Sequence, residues 1–249
     1  MTFSEIFLFG SFVLFISGAI KGFIGIGLPT VAMVLLTLVL DARSAITLIL
    51  MPMLFSNIWQ MMRGEDIRLL IGRYWRFVLI IVVTVALTAW ATQSMDDKVL
   101  RPALGVIVLL FVLATWRSEL PDIPPNMATR LEYVFATVAG ILGGLTSTWG
   151  VPVAMFLSTK KLKRDAFIQA TGLLIAAGSF PLVGVYFAVG HSDSESTLLS
   201  CLLLFPTLAG YWVGEYYRKK TDPNLFKPAL LFVFLCLGLN LLVGASFGR

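Results

Sequence analysis

Apolar segments close to the length of a membrane-spanning helix recur along the whole sequence. The runs 77–91, 103–116, 173–189, 198–213 and 229–243 contain no charged residue, and crossing the hydrocarbon core of a bilayer takes ~20 apolar residues. Only 13% of the chain is charged, where a soluble domain has about 25%. No segment is long and polar enough to form a separate soluble domain. The pattern predicts an all-α polytopic membrane protein.

The two halves of the sequence follow the same order of motifs on either side of the linker 117–126. Each half opens with an apolar helix ending in G-x-x-x-G, then an irregular stretch, a G-x-P motif, an Asp-Ala pair and three further apolar segments. The matching positions are Gly18 and Gly22 with Gly140 and Gly144, Gly27 and Pro29 with Gly150 and Pro152, and Asp41 with Asp165. Glycine is common in membrane helices, so chance is the alternative. The agreement in order and spacing predicts two membrane repeats, residues 1–120 and 121–249.

The distribution of lysine and arginine distinguishes two topologies for the second half. If residues 131–160 formed one ordinary span, the 18 loop Lys and Arg would divide 11 to 7 between the two sides. If those residues enter and return as a re-entrant hairpin, the division is 14 to 4, which agrees much better with the positive-inside rule. The poorer side then carries Arg43, Lys98, Arg101 and Arg249. The hairpin is the better prediction.

By repeat symmetry, residues 5–40 are expected to form a matching hairpin. The predicted fold is two inverted repeats, each a broken or re-entrant helical hairpin plus three transmembrane helices. Both termini and the loop 191–196 then lie in the periplasm, and the chain lies in the inner membrane. Cytoplasmic loops account for the net charge of +5. The expected partner is therefore the lipid bilayer and not nucleic acid.

Each G-x-P motif marks a place where the helix is expected to break inside the membrane. The missing N–H of proline costs least in the first turn of a helix, so Pro29 and Pro152 are predicted to begin new half-helices. Their N-termini carry free N–H groups and about half a positive charge, a combination that suits an anion. Ser147 or Thr148 is expected to cap the second half-helix. Inverted symmetry predicts that the two breaks lie close together near the midplane.

Side chains around the breaks form the candidate substrate-binding site. Lys21 is the only basic residue outside the loop clusters, and it is predicted to meet the anion; the alternative is that it snorkels to an interface. Trp149 either faces the substrate or packs the core. Asn57 and Gln169, each on the helix after a hairpin, line the path or bond across helices. The candidate residues are Lys21, Gly22, Gly25, Gly27, Pro29, Thr30, Asn57, Thr146, Ser147, Thr148, Trp149, Gly150, Pro152 and Gln169.

Residues needed for a proton relay, a metal cluster or nucleotide binding are missing or lie near the ends of the apolar segments. The carboxylates Glu5, Asp41, Glu132 and Asp165 sit near segment ends, so no proton relay is visible in mid-span. His191 is the single histidine, which excludes a histidine-based metal cluster. No Walker-type phosphate loop is present. The sequence therefore predicts a protein that is not an enzyme and that holds no metal or cofactor.

At these residues the sequence resembles the TauE/SafE family, the sulfite-exporter group within the 4-toluene sulfonate uptake permeases. The resemblance extends over essentially the whole chain. It is carried by residues 18–29, by residues 140–152 and by the basic segment after the early helices of each repeat. The second motif departs from the common glycine-rich form, since 146–149 reads Thr-Ser-Thr-Trp. The resemblance implies transport of sulfite, organosulfonates or related small anions, and the departure leaves the exact substrate open.

The leading hypothesis is a membrane transporter that exports sulfite or a small organosulfonate. The alternative within transport is uptake of a sulfonate or carboxylate coupled to Na⁺ or H⁺. From other classes, a membrane-embedded enzyme lacks a visible acid–base or metal constellation, and a scaffold has no need of broken helices at mid-membrane. The expected partner is a small anionic substrate, and the sequence leaves open whether the chain forms a homo-oligomer.

Overall fold

All the regular structure in the described part of the chain is α-helical. The computed structural model describes residues 3–96, 99–100, 102–103, 105–106, 109 and 125–220. Five of its helices are long and apolar enough to cross a membrane, which confirms the predicted all-α polytopic class. The helices are α1 (Phe3–Ile24), α2 (Leu28–Leu36), α3 (Ala42–Met61), α4 (Ile67–Ala91), α5 (Pro125–Thr146), α6 (Gly150–Ser158), α7 (Arg164–Ala188) and α8 (Ser194–Arg218).

Two helical hairpins form where the sequence predicted breaks. α1 ends before Gly25 and Gly27, whose φ angles of 95° and 104° lie in the left-handed region that glycine adopts without steric cost. Pro29 stands in the first turn of α2, which has 9 residues. Pro152 stands in the first turn of α6, which also has 9 residues. Each short helix packs against the long helix before it, so the prediction that each G-x-P motif restarts a helix is confirmed.

The same packing partners recur between corresponding helices of the two halves. α1 packs along α8, and its counterpart α5 packs along α4, the counterpart of α8. Likewise α3 packs on α8 as α7 packs on α4, and α3 and α7 pack on each other across the centre. A two-fold repeat predicts this pattern. The repeat boundaries stay a prediction, since residues 110–124, which include most of the linker, and residues 221–249 lie outside the described residues.

The two ends of the helix bundle are defined by polar contacts between segments that are distant in sequence. At one end, the Arg43 guanidinium donates to the carbonyls of Thr92 (2.9 Å) and Met95 (2.6 Å) and lies 3.1 Å from His191 Nε2. At the other end, Arg63 pairs with Glu215 at 2.5 Å. We call these the Arg43 end and the Glu215 end. α3 and α8 run from the Arg43 end to the Glu215 end, and α4 and α7 run in the opposite direction.

Basic residues of the described helices and links gather at the Glu215 end. Arg43 lies at the opposite end, and Lys21 is inside the bundle. Five further basic residues that entered the charge count, Lys98, Arg101, Arg117, Lys227 and Arg249, lie outside the described residues. The residues at the Glu215 end are Arg63, Arg68, Arg73, Arg76, Arg130, Lys160, Lys161, Lys163, Arg164, Arg218, Lys219 and Lys220.

Candidate functional site

The first helix break lies at the Glu215 end, between α3 and α7. The side chain of Gln60, in the last turn of α3, donates from Nε2 to the carbonyl of Gly25 (2.9 Å) and to that of Ile168 (2.6 Å). Gly22 is pressed against the backbone of α8, where an added Cβ would overlap the Tyr211 carbonyl oxygen. The break is therefore held from three sides by protein, as non-helical backbone at membrane depth requires.

Lys21 is buried in the bundle and points at α3. Its side chain is 1% exposed, and Nζ donates to Ser56 Oγ (3.0 Å) and Asn57 Oδ1 (2.5 Å). Asn57 donates from Nδ2 to the Met53 carbonyl at 2.7 Å, which turns its oxygen towards the ammonium. No carboxylate among the described residues forms an ion pair with Lys21. This burial excludes the snorkelling alternative and leaves the charge with neutral partners.

The N-terminus of α2 follows Lys21 after a few residues and is not capped. Gly27 is the N-cap residue, and no side chain accepts from the first N–H groups of α2. Pro29 and Thr30 are buried in its first turn. Uncapped N–H groups and the positive end of the helix dipole therefore lie in the same part of the bundle as the Lys21 ammonium.

The second break is lined by hydroxyl groups that are already hydrogen-bonded within it. The Thr146 hydroxyl donates to the Leu142 carbonyl (3.0 Å) and lies 2.5 Å from the Thr148 hydroxyl. The Ser147 hydroxyl donates to the Thr146 carbonyl at 2.6 Å. The prediction that Ser147 or Thr148 caps α6 is therefore wrong. The N-cap residue is Trp149, which makes no side-chain cap.

The indole of Trp149 closes the second break against α5. The ring packs on Gly143, where an added Cβ would overlap it, and the residue is 1% exposed. Its Nε1 is buried without a hydrogen-bond partner. Core packing explains the position of the ring but not the unpaired N–H, which buried indoles normally satisfy.

The two breaks lie at opposite ends of the bundle and not together near the midplane. The first lies beside Gln60 at the Glu215 end. The second follows Gly144, which packs against Thr88 and Ala89 in the last turn of α4, at the Arg43 end. α1 and α5 each have 22 residues, or about 33 Å of helix, so each crosses most of the bilayer before it breaks. The predicted juxtaposition is wrong for this reason.

The contacts of Gln169 are of the second kind that the sequence left open, bonding across helices. Its Nε2 donates to the carbonyls of Met61 (3.0 Å) and Glu65 (2.9 Å), and its Oε1 accepts from the Glu65 N–H at 3.1 Å. These contacts tie α7 to the α3–α4 link and leave little capacity for a substrate. Sequence reasoning did not select Gln60, whose buried Oε1 has no partner. The sequence feature that could have identified Gln60 is its position on α3, one turn after Asn57.

A pocket at the Arg43 end was not predicted. It has a volume of about 440 Å³ and is bordered by the start of α1, the start of α3 and the α7–α8 link. Arg43, Thr47 and His191 contribute polar groups to it, together with the carboxylates Asp193 and Glu195. Hydrogen bonds from the Ser196 hydroxyl and backbone N–H lower the pKa of Asp193. Arg43 and His191 were placed by sequence only as loop residues, because their proximity depends on how α3, α4 and α7 meet.

Comparison with known proteins yields one match. A family model described as sulfite exporter TauE/SafE matches residues 11–241, nearly the whole chain. No curated protein and no solved structure matches the chain.

Proposed function

Because the chain belongs to the sulfite exporter TauE/SafE family, we propose that it carries sulfite or a small organosulfonate outward across the inner membrane. The family and the five long apolar helices make it an integral membrane protein of a transporter family. The substrate, the direction of transport and the orientation of the chain in the membrane are proposals. The Glu215 end is assigned to the cytoplasm because the basic residues gather there.

The observation that carries the proposal is the buried ammonium of Lys21. A charge buried inside the bundle is costly unless something opposes it, and Ser56 and Asn57 are neutral partners. A transported anion supplies the missing charge each time it enters. The uncapped N-terminus of α2 adds N–H donors to the same site.

Export of an anion needs no proton under the usual membrane potential. Each negative charge that leaves a cell with a negative interior gains about 2.3 kcal/mol per 100 mV. Carboxylates of the described spans lie towards helix ends, as Glu132, Asp165 and Glu215 do. We therefore propose electrogenic efflux without an obligatory proton.

Efflux from liposomes tests the proposal. Vesicles containing the protein are loaded with sulfite, sulfoacetate, isethionate, taurine or lactate, and an inside-negative potential is imposed at constant pH. Sulfite or one organosulfonate is expected to leave faster than lactate, and the potential is expected to accelerate its efflux. Strict dependence on a pH or Na⁺ gradient would instead support coupled uptake, and movement of none of these anions would overturn the proposal.

A further inference from the structure

The second helix break has the features of an anion site separate from the one at Lys21. We propose that the indole N–H of Trp149 donates to an oxygen of the passing sulfite or sulfonate there, close to the Arg43 end. This inference rests on the proposed function and adds a second binding position to the route.

The first observation is the unpaired donor. Trp149 Nε1 is buried and has no partner, although buried polar groups are hydrogen-bonded in the large majority of cases. The benzo edge of the ring, Cε3 and Cζ3, faces Gly143. The opposite edge, which carries Nε1, therefore turns away from Gly143, and Trp149 is itself the N-cap residue of α6. Glycine at position 143 is what allows the ring to lie this way.

The second observation is the uncapped N-terminus of α6. No side chain accepts from its first N–H groups, so Gly150 and Val151 offer backbone donors next to the indole. Backbone N–H groups at the positive end of a helix favour an anion. Unpaired donors of two independent kinds thus meet in one break, and the ligand that suits them is an oxyanion with several acceptor oxygens.

The two breaks differ in charge. The first holds the Lys21 ammonium, whereas residues 146–152 include no charged side chain. Hydrogen bonds alone hold an anion more weakly than hydrogen bonds with a full charge. An anion that leaves the cell would therefore pass from a tighter position at the Glu215 end to a weaker one at the Arg43 end, from which release is easier.

The indole N–H can be observed directly. The full chain, labelled with ¹⁵N-tryptophan and reconstituted in lipid nanodiscs, contains six tryptophans and gives separate indole ¹H–¹⁵N signals. Methanesulfonate is the probe, with sulfite in a second titration. The Trp149 signal, assigned by its loss in Trp149→Phe, is expected to move downfield and saturate. Trp90 lies in the last turn of α4, also at the Arg43 end, and is 61% exposed. The chemical shift of its indole signal is expected to stay unchanged.

Efflux measurements give a second readout. Trp149→Phe keeps a ring and loses the donor, and it is expected to raise the half-saturating sulfite concentration roughly tenfold. Trp90→Phe is the matched control and is expected to behave as the wild type. If Trp149→Phe does not fold, Trp→Phe variants of the other five tryptophans assign the Trp149 signal by elimination, and the titration of the unmodified chain still decides the question.

The outcomes separate this inference from the proposed function. A Trp149 signal that neither probe moves, in a protein whose sulfite affinity still depends on Lys21, overturns the second site and keeps the export proposal. Failure of the protein to bind or move any of these anions overturns both.

Discussion

At the scale of single residues, the proposed anion contact is Lys21, held by its two neutral partners Ser56 and Asn57. Ser56 and Asn57 each also donate to the Met53 carbonyl, so we expect the fold to survive removal of the ammonium. Under the proposed function, the charge is what attracts an anion towards the N-terminus of α2.

Lys21→Met is expected to fold and to lose anion affinity. Methionine keeps most of the stem volume, and the loss of a charged hydrogen bond costs ~1.5–3 kcal/mol, roughly 10- to 150-fold in affinity. Lys21→Arg should be intermediate because its wide fork fits poorly where a compact charge was held. The measurement is the half-saturating sulfite concentration in efflux. Lys219→Met, an exposed lysine at the same end, is the control. Unchanged affinity in Lys21→Met would leave the site with backbone and hydroxyl donors alone.

Asn57→Asp is expected to block transport while the protein remains folded. The Asn57 oxygen lies 2.5 Å from Lys21 Nζ, so a carboxylate at this position would pair permanently with the ammonium. The substrate would then compete with a fixed anion, and its affinity should fall at least as far as in Lys21→Met. Comparing sulfite efflux with thermal stability in detergent separates this effect from unfolding. An Asn57→Asp variant with normal affinity would show that Lys21 does not meet the anion.

Two residues that the sequence selected as candidates, Lys21 and Asn57, are in contact in the structure. Lys21 stood out as a lone cation in an apolar run, and Asn57 as a polar residue on a buried helix. The hydrogen-bonding roles of Gln169 and Thr148 could not be predicted from the sequence. An amide or hydroxyl in a helix looks the same in sequence whether it binds a substrate or a carbonyl, and only the approach of the α3–α4 link to α7 settled Gln169.

At the scale of helices, α1 and α8 pack closely through glycines that both helices contribute. Gly18 and Gly22 of α1 meet the backbone of α8, and Gly210 and Gly214 of α8 meet the backbone of α1. Small residues of this kind let membrane helices approach closely and gain packing contacts. The two helices run in the same direction, because successive glycines along α1 meet successive residues along α8.

Gly22→Ala is expected to destabilise the protein. The added methyl would meet the Tyr211 carbonyl and lie 2.9 Å from the backbone N of Glu215, and a backbone cannot rotate away as a side chain can. Overpacking of this kind costs ~1–3 kcal/mol. Gly184→Ala in α7, where a Cβ meets nothing within 4 Å, is the matched control. Thermal unfolding in detergent should show a lower midpoint for Gly22→Ala alone, and equal midpoints would contradict the close contact.

The positions of the breaks along the chain were predictable, but their depth was not. Gly25, Gly27 and Pro29 mark the first break because glycine permits a left-handed turn and proline suits a first turn. Those residues do not indicate how much of the membrane α1 crosses before it ends. The length of α1 depends on residues 3–17, whose apolar run gives no N-terminal boundary, so the breaks were expected together and lie apart.

At the scale of the whole molecule, the described basic residues give the bundle one strongly positive end. This agrees with the charge division that selected the hairpin topology, although the C-terminal segment that completes the prediction lies outside the described residues. Packing partners that repeat between the halves support the same arrangement independently of charge.

Thiol labelling tests the predicted orientation. In a chain whose two native cysteines are replaced by serine, Ser194→Cys lies at the exposed start of α8 and Lys163→Cys in the exposed α6–α7 link. A maleimide that cannot cross the inner membrane should label Ser194→Cys in spheroplasts and label Lys163→Cys only after lysis. The reverse pattern would invert the topology and place both termini in the cytoplasm.

The pairing of α1 with α8 also has a consequence for how the protein is made. Gly18 and its neighbour Thr207 are roughly 190 residues apart in the chain, and ribosomes add ~5–20 residues per second. After its own synthesis, α1 therefore waits roughly 10 to 40 s for its packing partner. During that time its glycine face, shaped to receive another backbone, meets lipid or the insertion machinery. A nascent chain that stalls before residue 194 keeps that face uncovered, which gives membrane quality control a surface by which to distinguish an unfinished chain from a finished one.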